Sequence, residues 1–216
     1  MTTFVVAGSA TKSHPAERGT VQITVSFTAA DRRQVRADST AAHIAVTQEA
    51  AAHQESGAAT EWTAERVSTD AYREYVKDSD ETVLRYRSIS TVSVTFSDFG
   101  VLADWVSHLA ERPGIGVDGI TWSLTDPLRV SLQRKVRIDA VQDAITKAND
   151  YAAALDRGSP TLDAVFEEGL RPNLGGGGGF ARDGMMMKAA SYDGGSYVLK
   201  PGDIEVSASI SADFTM

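Results

Sequence analysis

No cysteine occurs among the 216 residues. Disulfides, zinc–thiolate sites, iron–sulfur clusters and cysteine nucleophiles are excluded at once. Basic charge is also short: 21 Lys and Arg stand against 29 Asp and Glu, a net charge of -8. The richest basic stretch, Arg129 to Arg137, reads as a mixed helix face. Nucleic-acid backbones and anionic lipid call for a basic face, so neither is an expected partner. No apolar run approaches the roughly 18 residues of a membrane helix, so no transmembrane segment is expected. The start, "MTTFVVAGSAT", lacks the basic and long apolar regions of a signal peptide and reads as a strand. The expectation is a cytoplasmic protein, or a periplasmic or secreted one if a leader has been removed.

What is present is ordinary globular material. Apolar residues make up 42% and charged residues 23%. A chain of this length buries roughly 70% of its unfolded surface, enough for a real core. Thr2 to Ala10 reads as a strand, and "SHPAERG" (Ser13 to Gly19) as a turn. In "TVQITVSFTA", Val21, Ile23, Val25 and Phe27 alternate with Gln22, Thr24 and Ser26, the pattern of a half-buried antiparallel strand. Asp31 caps a long alanine-rich helix ending near Ser56 and Gly57. Strands follow at Glu61 to Val76 and Thr82 to Phe96, with "DSDE" (Asp78 to Glu81) as the turn between them.

A second helix opens at Ser97. It carries Phe99, Leu102, Val106 and Leu109 at helical spacing and stops at Pro113 and Gly114. "DGITWSLTD" (Asp118 to Asp126) is a strand, and Pro127 opens a third helix running to about Leu155. Its expected buried stripe is Val130, Val141, Ile145, Ala148, Ala152 and Leu155. Two more strands, Ser159 to Gly169 and Gly202 to Phe214, close the chain. From Thr20 to Asp126 the order is strand, helix, strand, strand, helix, strand, the split βαβ of ferredoxin-like folds. The expectation is therefore α+β: a ferredoxin-like βαββαβ core on a mainly antiparallel sheet. It is extended by the N-terminal strand, the third helix and the C-terminal strands, in a single domain over 1–216.

Motifs that could carry chemistry fail on context. "GIGVDG" (Gly114, Gly116, Gly119) fits the dinucleotide fingerprint, but a helix precedes it and a strand follows, the reverse of what the pyrophosphate needs. The better reading is a helix-to-strand turn. "LGGGGGFARDGMMMKAAS" (Leu174 to Ser191) has no Gly-Lys-Ser/Thr after its glycines, so it is no P-loop. Thioethers of Met185, Met186 and Met187 suit Cu(I), yet no histidine or cysteine lies near them. The segment, about 171–200, reads as a Gly/Met-rich insertion whose Phe180, Met185, Met186 and Met187 form a candidate contact loop.

His14, His43, His53 and His108 show no metal spacing and read as solvated or capping residues. No G-x-S-x-G elbow occurs. Glu167 and Glu168 sit together at a strand end, but a carboxylate pair counts only inside a cleft. Trp62, Trp105 and Trp122 fall on regular elements, which suits core or interface roles. No catalytic, cofactor or metal residue is assigned.

Three stretches resemble the SIMPL-domain, or YggE-like, family. "KPGDIEVSASISADFTM" (Lys200 to Met216) is similar to its closing strand. "RKVRIDAVQDAITKANDYAAAL" (Arg134 to Leu155) is similar to its third helix, and "YRSISTVSVTFSDFGVLADWV" (Tyr86 to Val106) to its central strand and helix. A Gly-, Pro- and Met-rich insertion before the last strand is common there too. The family's Leu-Gly after the third helix is "LDRG" here, and many members carry a secretory leader.

The resemblance implies an α+β fold, ring-like homo-oligomers, no established catalytic site and a loose link to stress response. The expected function is a non-enzymatic homo-oligomeric assembly or interaction scaffold. A homo-oligomer or a protein partner is the expected contact. The alternative is a small-ligand-binding protein or enzyme with the Gly/Met-rich loop as a lid.

Overall fold

The computed structural model describes residues 2–75, 81–171 and 199–216. The candidate loop residues Phe180, Met185, Met186 and Met187 lie outside them, as do Asp78 to Asp80 of the turn expected at Asp78 to Glu81. The described chain forms two units. One gathers the described parts of 1–15, 124–188 and 203–216; the other, those of 16–123 and 189–202.

The second unit is the ferredoxin-like core. Its elements are β2 (Arg18–Ala29), α1 (Arg32–Glu55), β3 (Ala59–Tyr75), β4 (Thr82–Phe96), α2 (Phe99–Ala110) and β5 (Ile115–Ser123). The four strands lie in the order β3-β4-β2-β5, all neighbours antiparallel. β4 inserts between β2 and β3, which is the split βαβ read from the element order. Val21, Ile23 and Val25 of β2 and Val92, Val94 and Phe96 of β4 are fully buried. They meet Val46 and Ala50 of α1 and Leu102, Trp105, Val106 and Leu109 of α2 in one cluster. Both helices therefore cover one face of the sheet. Asp31 caps α1 by accepting from the Arg33 N–H at 2.8 Å. Asp98 caps α2 by accepting from Gly100 and Val101.

β5 begins at Ile115, three residues before the strand expected from Asp118. Of the "GIGVDG" glycines, only Gly114 makes the turn, at φ +75° with the Phe27 ring directly above its Cα. Gly116 and Gly119 are strand residues, and the β2–β5 register slips at Gln22/Ile23 opposite Gly119. The slip is a β-bulge, which glycine accommodates and helical punctuation does not reveal.

The first unit holds β1 (Thr3–Pro15), α3 (Asp126–Ala154), β6 (Thr161–Glu167) and β7 (Asp203–Thr215). Its sheet has the order β1-β7-β6, again antiparallel. The N-terminal strand and the C-terminal strands thus extend the fold as a separate three-stranded sheet. β1 runs through thirteen residues, past Ser13 and His14, where a turn was expected. Pairing with β7 over that whole length holds them extended. Arg171 bonds Ser211 and Asp213 of β7 and lies over the Phe166 ring of β6, bracing the sheet.

α3 buries Ala148 and Ala152 of its expected stripe and departs from the rest. The buried residues are Leu132, Val136, Ala140, Ala144, Ala148 and Ala152, at steps of four. Val141 and Ile145 only flank the core, while Val130 and Leu155 are both 59% exposed. The ridge is alanine because β1 crosses it at Gly8, where backbone meets backbone. After α3, Asp156 takes φ 51°, a left-handed conformation that aspartate tolerates better than most residues.

β1 is a sheet edge, and α3 closes it. Reciprocal bonds between Thr2 and Met216 point the even β1 residues at β7 and the odd ones outward. The outward Ser9 N–H donates to Asp143 Oδ2 at 2.8 Å, and the outward Ala7 carbonyl accepts from Lys147 Nζ at 3.1 Å. Asp143 and Lys147 are themselves paired at 2.6 Å, and Lys12 bonds Asp139 at 2.8 Å. The bond from Lys147, then that from Ser9, holds the Asp143 carboxyl below its ordinary pKa. These side chains occupy the place of a neighbouring strand on a segment with few charges of its own. Replacing both, Asp143→Ala with Lys147→Ala, is expected to bring forward the onset of aggregation on heating. Light scattering in a thermal ramp checks it; an unchanged onset would show the edge needs no cover.

Candidate functional site

The described residues offer four polar or apolar groupings, all within the ferredoxin-like unit. The first lies between α1 and α2. Glu49 Oε2 accepts from Trp105 Nε1 at 2.8 Å, and Glu49 Oε1 pairs with Arg112 Nη1 at 2.7 Å. His53, one turn on, packs edge-on against Phe96 and Trp105, with ring centroids 5.3 and 5.2 Å away. Burial is the largest influence on Glu49 and raises its pKa; the Trp105 and Arg112 bonds together with the Arg112 charge outweigh it, so the carboxyl stays low. Burial also lowers the His53 pKa. Both Glu49 oxygens are engaged, and the half-buried imidazole packs against two rings. The grouping is a brace that favours the ionised carboxylate and the neutral imidazole.

The second is a polar seam under α1. Ser39 Oγ and Ser88 Oγ are 3.0 Å apart, and His43 Nδ1 and Ser90 Oγ 2.9 Å. A serine–histidine contact at that distance is the geometry of an activated nucleophile. Here Ser90 is 1% exposed, so no substrate reaches its hydroxyl. The seam satisfies polar groups that β4 carries inward. His43 and His53 are therefore packed residues rather than the solvated or capping ones expected. Ten positions apart on α1, both still fall on its inward half, and a pattern of apolar residues does not register imidazole as core. His14 bonds the Pro15 carbonyl through Nδ1, and His108 is exposed.

The third comprises two open depressions. One, of about 640 Å³, is lined by Ser56 to Ala58 and by Ser97, Asp98, Phe99 and Val101. Its polar groups are spent locally: Asp98 caps α2, and the Ala58 carbonyl accepts from Ser97 and Asp98. The other, of about 310 Å³, is lined by Arg32, Arg33, Arg36 and Thr69. Among the described residues no carboxylate pairs with these three guanidiniums. They also crowd the positive end of α1, which disfavours cations. The sequence signal was available in "DRRQVR", but it reads as a plain helix start.

The fourth is the β3–β4 hairpin. β2 pairs with β4 only as far as Tyr86, so among the described residues Tyr72–Tyr75 and Thr82–Arg85 pair only with each other. They form an arm beyond the sheet. Val67 is 73% exposed, Tyr75 78% and Leu84 45%. Periodicity could place this strand but not show that its partners stop short of its end.

Of the other sequence candidates, Glu167 reaches Arg137 at 3.8 Å and Glu168 is exposed, so the two form no cleft. Trp105 is buried, and Trp62 and Trp122 pack against the same core. Among the described residues no group of three or more His, Asp or Glu could hold a metal ion. No described helix is long and apolar enough to cross a membrane.

No curated protein matches the chain. The family described as SIMPL, protein of unknown function (DUF541), matches residues 4–214. The match runs from β1 to β7 and takes in both units, as the three resembling stretches would require. The chain belongs to the SIMPL (DUF541) family.

Proposed function

We propose that this protein acts as a homo-oligomeric assembly or interaction scaffold rather than through a reaction of its own. The observation that carries the reading is the uncovered apolar surface of the β3–β4 arm. Large aromatic and aliphatic side chains clustered on a projecting element mark a contact surface, because their exposure to water is unfavourable unless a partner covers them. The groupings that resemble chemistry fit structural work better: Glu49 is saturated by donors and Ser90 is sealed. Ring closure, and any link to stress response, would act through such an assembly.

Size exclusion with multi-angle light scattering tests the reading. The expected mass at micromolar concentration is a multiple of the 23.0 kDa chain. A strictly monomeric species up to about 100 µM, the weak end for specific association, would sink it.

A further inference from the structure

The start of α1 is arranged against the stability of the helix. Free N–H groups leave positive charge at a helix N-terminus, so acidic side chains are favoured there. The first turn of α1 holds no acid and carries Arg32 and Arg33, with Arg36 one turn on. Arg32 and Arg36 stand four apart, the spacing at which like charges on a helix repel. Among the described residues none of the three guanidiniums pairs with a carboxylate. Carboxylates are not scarce. Asp and Glu outnumber Lys and Arg by 29 to 21, and Arg85, Arg112, Arg129 and Arg171 each hold one. Local rules broken together at one place are the mark of a functional site.

That place is a depression. The three arginines and Thr69 of β3 line about 310 Å³. The Thr69 hydroxyl makes no hydrogen bond among the described residues, so it is open to a ligand. The carboxylates nearest in the chain do not fill the hollow. Asp31 caps the helix, accepting from the Arg33 backbone N–H at 2.8 Å. Asp38 stands two places past Arg36, and residues so spaced do not face each other on a helix. Asp70 follows Thr69 on β3, so it points to the other face of the strand, where it accepts from Ser68. Arg73, on the Thr69 face of β3, adds charge of the same sign. Asp31 offsets at most one of the three guanidiniums, and the depression keeps a positive excess.

We infer that this depression binds a small molecule bearing two or more adjacent phosphoryl groups, held by Arg32, Arg33 and Arg36 with the Thr69 hydroxyl at the rim. A guanidinium offers a planar fork of donors that matches phosphoryl oxygens two at a time. Three forks exceed what one oxyanion engages. Phosphoryl oxygens point tetrahedrally, so they meet forks arriving from different positions on α1, which a planar carboxylate does not. A hollow of about 310 Å³ is at the small end of ligand pockets, roughly 300–1,000 Å³. A long polyanion is disfavoured, because the chain carries a net charge of -8 beyond the reach of these arginines. The helix end adds to the field of the guanidiniums but does not make it. The inference goes beyond the assembly reading and does not depend on it.

Isothermal titration of the full chain with sodium tripolyphosphate tests it. Wild type is expected to bind one equivalent with a Kd of about 10–300 µM at about 0.15 M salt, as an open charged site does. Arg33→Gln with Arg36→Gln is expected to weaken binding at least about tenfold. Arg33→Lys with Arg36→Lys keeps the charge and loses the forks, and is expected to weaken it about threefold or more. Arg134→Gln with Lys135→Gln, exposed on α3, removes as much charge elsewhere and should leave the Kd unchanged. Citrate, an anion of planar carboxylates, should bind more weakly than tripolyphosphate. Melting gives a second readout. Without ligand, Arg32→Gln with Arg36→Gln should melt about 1–4 °C above wild type, because the repulsion is gone. With about 1 mM tripolyphosphate wild type should gain about 3–6 °C and that variant nothing. No saturable binding by wild type, or equal binding by Arg33→Gln with Arg36→Gln, would overturn the site. Lysine replacements that bind like wild type, or citrate that binds as tightly, would overturn its assignment to phosphoryl groups. None of these outcomes touches the assembly reading, which light scattering decides.

Discussion

Gly8→Ala is expected to lower the melting temperature by about 6–12 °C, roughly 3 kcal/mol in a chain of this size. A methyl group at residue 8 would stand 2.0 Å from the Ala140 carbonyl oxygen and 2.8 Å from the Ala144 Cβ. Neither obstacle is the free end of a flexible side chain. Ala140 and Ala144 are fully exposure-free positions of the α3 ridge, and Val6 and Phe214 fix the sheet on either side. To admit one carbon, α3 must lift off β1. That would loosen the contacts of Ala148, Ile210 and Ala212 together with the bonds of Asp143 and Lys147 to the β1 edge. Gly8→Ala with Ala144→Gly should recover only part of the loss, because the carbonyl cannot be trimmed. Thermal denaturation followed by circular dichroism measures both. A single variant melting within about 2 °C of wild type, under 1 kcal/mol, would mean that β1 and α3 are not in close backbone contact.

That contact also marks where the sequence stopped being legible. The alternation of Val21, Ile23 and Val25 placed β2 and its buried face correctly, because one side of that strand is core and the other is not. Asp31 and Asp98 were readable as caps for the same local reason. The α3 stripe was legible only at Ala148 and Ala152. Hydropathy favours Val130 and Leu155, but the helix buries alanine, since the distance to Gly8 leaves room for nothing larger. A residue chosen for being small leaves no hydrophobic signal. The division into two sheets was hidden too. Strand order along the chain does not say that β1 pairs with β7, whose nearest described residue lies 188 positions away.

The candidate surface was legible only in parts. Thr82 to Phe96 could be read as a strand, yet the exposure of Tyr75 and Leu84 depends on where β2 and α1 end. The apolar residues that would mark a core in sequence stand exposed here. Arg32, Arg33 and Arg36 gain meaning only when Thr69 is seen beside them. His43 and His53 are the converse, polar in type yet half-buried against the core.

Trp105→Ala is expected to cost about 3–5 kcal/mol, as truncation of a buried aromatic does. Trp105 is 5% exposed and lies 5.5 Å from Phe96 and 5.2 Å from His53, centroid to centroid. Its removal opens a cavity between α1, α2 and β4 and leaves Glu49 with Arg112 alone. Trp105→Phe separates the two effects. It keeps a smaller aromatic ring in the core and deletes the indole N–H, the donor to Glu49. A hydrogen bond to a charged group contributes roughly 1.5–3 kcal/mol, and about a third of Glu49 is exposed, so the lower end applies. The pH dependence identifies the source. Glu49 has a folded pKa below its unfolded one, so its contribution is full above the unfolded value, near 4.3. It is lost as pH falls through the folded value. The gap in melting temperature between wild type and Trp105→Phe should therefore be widest near neutrality and shrink below about pH 4. The gap for Trp105→Ala should persist in acid, since the packing component carries no proton. A Trp105→Phe gap that stayed constant with pH would assign the whole effect to ring size and leave the Glu49 bond without energetic weight.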